Sequence, residues 1–530
     1  MNVTLLWTDA VLSSLLWVAA VIAASARLRR RWLRIIVLLP AVGMPLINFA
    51  SIVLIAWHMK FNLKLEPNWF GYSVSLFVTY VVGTTIILRK GLRRGPGLET
   101  AALSWRPVPI AVAGLLALVM SYMTLIDMDV ALRARCAIRS VQLNSLYLAT
   151  SPAIVSDAQN AAFIYEKAFA DLPADEKTDI RNAPYGENAK FDPNEPATVA
   201  YLKRHAATIR LLRRAAAIPG CRFEMDLQNP DINELLSTGS HMRRAANLLW
   251  LDAREELANG RTAAAIVDAS AIYGISRHCA QRPMLISSLE GISMDAIGFK
   301  VLQEAVPLVK DKADLAPLHL EELTAFGRLH LQALRGEEQF GLAAYGYLGP
   351  DDVQRVRKVV NAAEVFPPTV GGIRGAFFRV FVLNPDHYME LMDEAQRLCT
   401  KPIYESNGQL ARYGATHKDA LFVSILAPAL SHAFGDYAHG DANDVCAKAA
   451  VAATRYRLEK GRLPDKLEDL VPDYLDEIPT DPFDGKPLRW IRTGEELTIY
   501  SIGPDFTDNG GAALEGNKGD ICFRISMPKQ

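Results

Sequence analysis

Several short motifs that mark common enzyme classes are missing. The chain has no GxxxxGK[ST] phosphate loop, no GxGxxG after a strand, no HExxH and no GxSxG elbow. Their absence weighs against nucleotide, zinc-protease and serine-hydrolase chemistry. It also lowers the expectation of an enzyme in general. Net charge is missing too. Lys and Arg number 57 against 58 Asp and Glu, so no global basic field argues for nucleic acid, and none is expected as a partner. None of the six cysteines (Cys136, Cys221, Cys279, Cys399, Cys446, Cys522) forms a CxxC pair. Zinc ribbons and thioredoxin-like redox chemistry are therefore unsupported.

What is abundant is apolar sequence, half of all residues, concentrated in the first 126. Four runs stand out, at 5–26, 35–58, 71–88 and 108–126. Each approaches the ~20 residues needed to cross a hydrocarbon core. The first has no basic residue before it and is followed by Arg27, Arg29, Arg30, Arg31 and Arg34, unlike a cleavable signal. Those arginines mark the first connection, and Arg89, Lys90, Arg93, Arg94 and Arg106 mark the third. The second holds only Lys60 and Lys64, offset by Glu66. Positive charge favours the cytoplasmic side, so both termini and everything after Ile126 are expected outside, in a bacterial inner membrane. The lipid bilayer is thus an expected partner. Asp9 and Asn48 are the only polar candidates for a path through the spans.

From about 130 to 440 the apolar period is helical. Met242, Ala245, Ala246, Leu249, Trp250, Ala253 and Leu257 lie on one face, and Asn259-Gly260 ends that helix. A second helix is predicted from Thr262, with Ile266, Ala269, Tyr273 and Ser276 on one face. This pair weakly resembles a tetratricopeptide hairpin. Further helices are predicted over 157–170 and 198–217, and loops over 171–196 and 346–375.

The last 90 residues differ. A helix over 442–460 is followed by a Pro-punctuated loop, IPTDPFDGKP. The period then becomes two. Strands are predicted at 488–491, 497–502 and 521–525, the first two joined by a Thr493-Gly494-Glu495-Glu496 turn. Cys446 on the helix and Cys522 on the last strand would face each other if the helix packs on the sheet, and a disulfide between them is one expectation. His432, Asp436 and His439 fall at i, i+4, i+7, a weak zinc pattern across Gly435 and Gly440.

The order of pieces in this region carries a resemblance. Tyr456-Arg457-Leu458-Glu459-Lys460-Gly461-Arg462-Leu463-Pro464, then Pro479-Thr480-Asp481-Pro482-Phe483-Asp484-Gly485, Tyr500-Ser501-Ile502-Gly503-Pro504-Asp505, Gly510-Gly511 and Asp520-Ile521 follow one another. Together they resemble the globular domain of the major pseudopilin of type II secretion systems. The resemblance implies a structural calcium site, with Asp505, Asp508 and Asp520 as its ligands. Clustered carboxylates in a carbonyl-rich loop suit calcium chemically. The family's cleaved leader and single helical stem are absent, so the resemblance implies a grafted fold and no fibre-forming role.

The expected fold is a multi-domain membrane protein. It comprises four transmembrane α-helices (1–128), a mainly α-helical extracytoplasmic domain (129–440) and a small α+β module of one helix on a three-stranded antiparallel sheet (441–530). The expected function is a membrane-anchored scaffold or interaction protein with protein partners in the envelope, an accessory component of an envelope or secretion-related assembly. The alternatives are a hydrolase with its site in the helical domain, or a channel or transporter with an outer regulatory domain.

Overall fold

The structure is a computed structural model. It describes residues 128–143 (without 130), 159–172, 193–223 (without 194), 232–318, 326–347, 385–417 and 421–527. The described chain is helical with one small three-stranded antiparallel sheet. This corrects the expected fold class: among the described residues no helix is long and apolar enough to cross a membrane. The four apolar runs, with Asp9 and Asn48, lie outside the described residues, as does most of the expected loops 171–196 and 346–375.

Two compact units are present. The first takes in residues 1–135, 345–387 and 415–424. Its described part holds two ion pairs, Arg133 to Asp129 at 2.9 Å and Arg135 to Asp386 at 3.0 Å. The second takes in 136–344, 388–414 and 425–530.

Its described helices include α1 (Ala162–Phe169), α2 (Pro196–Arg204), α3 (Ala206–Ala216), α4 (Ile232–Ala258), α5 (Thr262–Ala280) and α6 (Leu285–Ala305). The predicted hairpin is α4 and α5. Gly260 sits at φ +73°, a left-handed value that suits glycine, and turns the chain between them. The predicted helix over 198–217 is instead two helices, because the backbone leaves helical geometry at buried His205 (φ −93°, ψ 11°). Small residues let the layers approach closely. A Cβ on Gly274 of α5 would meet the Ala216 carbonyl oxygen of α3 at 2.5 Å, so only glycine fits there. Ser276 on α5 donates to the Gly291 carbonyl on α6 at 2.8 Å.

His278, buried in this stack, is paired at both ring nitrogens. Burial pushes His278 down to about 3, which leaves its ring neutral. Its Nε2–H donates to the Ile218 carbonyl at 2.8 Å, so Nδ1 accepts from the Tyr165 hydroxyl at 2.9 Å. Arg139 donates to Glu338 at 2.8 Å in the same manner.

After α7 (Phe326–Tyr347), α8 (Pro385–Cys399), the short α9 (Ile403–Ser406) and α10 (Gln409–Thr416) comes α11 (Leu421–Lys460). The helix predicted to start at 442 in fact starts at 421 and is 40 residues long. It runs without interruption through Gly435, Gly440 and the 440–441 position. Tertiary packing here overrides the low helix propensity of glycine.

The sheet matches its sequence pattern. β1 (Arg489–Thr493), β2 (Glu496–Ser501) and β3 (Ile521–Ser526) pair antiparallel in that order, with Trp490 opposite Ile499 and Ile499 opposite Phe523. Leu497, Ile499, Phe523 and Ile525 are fully buried in one hydrophobic core with α4, α5, α6 and α11. Arg457 of α11 donates to the carbonyls of Val309 at 2.8 Å and Ser526 at 3.4 Å, tying the sheet to the chain after α6. No disulfide joins Cys446 to Cys522, and both thiols are free. Helix and sheet do pack together. However, Cys446 Sγ points to the Ile521 carbonyl at 3.6 Å, while Cys522 Sγ lies 3.4 Å from the Gly511 carbonyl.

Candidate functional site

The aspartate loop joins β2 to β3. Its carboxylates are occupied by the loop's own donors. Asp505 accepts from the Thr507 N–H at 2.9 Å, the Gly519 N–H at 3.1 Å and Asn509 Nδ2 at 3.1 Å. Asp508 accepts from the Gly510 N–H at 3.0 Å and the Tyr500 hydroxyl at 3.1 Å, with Arg489 Nε 3.5 Å away. Asp520 accepts from the Gly511 N–H at 2.7 Å and the Asn509 N–H at 3.2 Å. Asn509 thus links Asp505 to Asp520, while Asp508 turns toward Arg489. The Gly519 N–H leads in holding Asp505 below the usual carboxylate range, and the Gly510 N–H does so for Asp508. Burial pushes Asp520 up.

Calcium requires six to eight converging oxygens. Here the three carboxylates converge on N–H groups and one approaches a guanidinium, which together supply the positive potential a cation would. As placed, they do not fit calcium. Among the described residues no group of three or more His, Cys, Asp or Glu is arranged to hold a metal ion. The His432–Asp436–His439 trio follows the same rule. His432 and Asp436 are exposed on α11 and His439 is half-buried.

The PTDPFDG segment has a clear structural role. Asp481 is fully buried and accepts from the Phe483 N–H, the Ser501 hydroxyl, the Ile502 N–H and Arg489, all between 2.7 and 2.9 Å. Arg489 also donates to Asp484 at 2.5 and 3.0 Å. One guanidinium therefore clamps this loop, the aspartate loop and β1. Charge-assisted bonds of this kind fix geometry well.

Two concave features are lined by charged side chains. The first is a groove of about 390 Å³ between α2–α3 and α4, with Val199 and Leu202 among its apolar lining. Arg213 lies at its base and donates to Asp268 at 2.6 and 2.8 Å and to Asp252 at 2.6 Å. Burial leads in pushing Asp268 up to about 7 and Asp252 up to about 6, against the pull of Arg213. Glu255 and Glu256 are engaged by Arg261. Lys203 and Arg210, exposed on the opposite wall, make no ion pair with any described residue. The lining thus carries three cations and three acids, and its cations without an ion pair to a described residue are Lys203 and Arg210.

The second is a cavity of about 500 Å³ bounded by α7, the α8–α9 connection, α11 and the PTDPFDG loop. His330, Cys399, Tyr404, Phe434, Tyr437 and Asp441 contribute to its wall. The rings of His330 and Tyr437 stack at 3.4 Å and 9°. Burial pushes His330 down to about 3, Cys399 up to about 12 and Asp441 up to about 6. Asp441 is thus the one group of the three that titrates near neutrality. Directly behind it, burial pushes Asp295 and Asp444 far above the carboxylate range.

The sequence showed neither feature. Their residues come from segments far apart in the chain, and short-range spacing does not register such meetings. One signal was present: Asp441 and Asp444 stand at i, i+3 beside a run of small apolar residues on what becomes a buried helix. No known protein family, curated protein or solved structure matches the chain.

Proposed function

We propose that this protein is a scaffold or interaction protein that receives an acidic segment of a protein partner in the groove between α2–α3 and α4. One observation carries the reading. Asp252 is ion-paired to Arg213, and Glu255 and Glu256 to Arg261, whereas Lys203 and Arg210 make no ion pair with a described residue. An occupant with carboxylates and one apolar side chain complements that surface. Stacked helical hairpins commonly present such grooves to partners. An extracytoplasmic, envelope-associated location belongs to the proposal and is supported by the arginine distribution over residues 27–106. The pseudopilin-like order of pieces supports a secretion-related setting.

The test is affinity purification of the full chain from gently solubilised cells, beside a Lys203→Glu/Arg210→Glu variant. A partner that co-purifies with the unaltered chain and is lost from the variant supports the reading. Recovery of this protein alone, or a partner indifferent to the charge reversal, sinks it. A reporter active only outside the cytoplasm, fused after Gln530, tests the location. Inactivity there refutes it.

A hydrolase reading has less support. In the second cavity burial makes the His330 imidazole a weak base and keeps the Cys399 thiol protonated, so the pair is not poised for nucleophilic catalysis. The residues that suggested transport, Asp9 and Asn48, lie outside the described residues.

A further inference from the structure

Several buried acids in this fold are matched by an arginine. Arg213 serves Asp268, Arg139 serves Glu338 and Arg489 serves Asp481. Asp441 is half-buried and has no such arginine. Its carboxylate lines the 500 Å³ cavity and makes no hydrogen bond or ion pair with any described residue. A half-buried carboxylate without a partner is stabilised by a proton or a counter-ion.

The surroundings favour one kind of counter-ion. Tyr404, Phe434 and Tyr437 place aromatic rings in the same wall, and ring faces attract cations. His330 is neutral and brings no positive charge. Lys401 lies at the rim, where it is exposed to solvent. Asp295 and Asp444, near Asp441 and pushed toward their neutral acid form by burial, bring no cation. A cavity of this size holds a small organic molecule.

We propose that this cavity binds a small organic cation, an alkyl- or arylammonium, with Asp441 as its counter-ion and the rings of Tyr404, Phe434 and Tyr437 as its wall. The proposal is independent of the groove assigned to a protein partner.

The test is calorimetric titration of the full chain with benzylammonium, tetramethylammonium and benzoate. Both cations are expected to bind and benzoate is not. Asp441→Asn, which keeps shape and removes charge, is expected to weaken benzylammonium at least tenfold. Tyr404→Ala, at an exposed position that does not endanger folding, is expected to weaken it about threefold to tenfold. Binding should also fade as pH falls through about 6. In that range His330 remains neutral and the Cys399 and Tyr437 groups remain protonated, so Asp441 is the titrating group that faces the ligand. Benzoate binding as tightly as benzylammonium would overturn the proposal. So would unchanged affinity in a folded Asp441→Asn chain, or no cation binding at millimolar concentration. If Asp441→Asn does not fold, the Tyr404→Ala variant and the pH series decide.

Discussion

The rings of Phe299 on α6 and Phe523 on β3 meet edge to face, 5.5 Å apart with planes 79° apart. That contact joins the C-terminal sheet to the helical hairpins. Beside it, Gln303 Nε2 donates to the Cys522 carbonyl at 2.6 Å. The sheet is therefore part of the core built by α4, α5 and α6, and its stability is shared with theirs.

Phe523→Ala is accordingly expected to cost about 3–5 kcal/mol, the usual range for emptying a fully buried ring site. The loss should appear in one cooperative transition that also reports on the helices. Denaturant unfolding followed by circular dichroism at helical wavelengths checks this. A variant that melts the sheet alone, with the helical signal intact, would show the two parts to be separable.

Removing Arg213 leaves Asp268, and the less buried Asp252, without their cation. Arg213→Met should cost about 3–5 kcal/mol, because breaking a buried pair strands a charge. Asp268→Asn, which leaves a neutral acceptor, should cost less. Chemical denaturation of the two variants at pH 7 compares them directly.

Burial raises Asp441 from an ordinary value of 3.8 to about 6. The folded state therefore binds this proton more tightly than the unfolded chain does. Its contribution to stability is largest below about pH 4 and is lost as pH rises from there to about 6. Asp441→Asn should raise the melting temperature at pH 7 and flatten the slope between those limits. Asp295 and Asp444, shifted in the same direction behind it, keep part of the trend in the variant. Melting curves of both chains from pH 4 to 8 check the sign, and a slope unchanged by the substitution would contradict it.

The carboxylates of Asp505, Asp508 and Asp520 are satisfied by N–H groups, a hydroxyl and Arg489. Melting of the full chain should thus be the same in calcium and in chelator. A calcium-dependent rise of several degrees that disappears in Asp505→Asn would restore the site implied by the pseudopilin resemblance.

All six thiols are free, and five of them are buried. Burial pushes Cys279 up to about 12 and Cys522 up to about 11. Alkylation of the chain unfolded without reductant should add six groups by mass, whereas the folded chain should react slowly. Four additions would reveal a disulfide.

Local chemistry made part of this fold legible in the sequence. The α4–α5 hairpin followed from helical spacing ended by Gly260, and the three strands followed from period two broken by turn residues. These signals lie within a few residues of one another, where backbone preference and side-chain direction act alone. Other features needed the packed chain. Helix α11 extends through two glycines because burial on neighbouring helices outweighs their intrinsic cost. Cys446 and Cys522 lie on packed elements yet point to different carbonyls, an orientation that spacing does not encode. The aspartate cluster in the sequence suggested a cation. Only the folded loop showed which donors those carboxylates face. The cavity around Asp441 and the groove around Lys203 and Arg210 likewise exist only once distant segments meet, because a charge counts as matched or unmatched according to its neighbours in space.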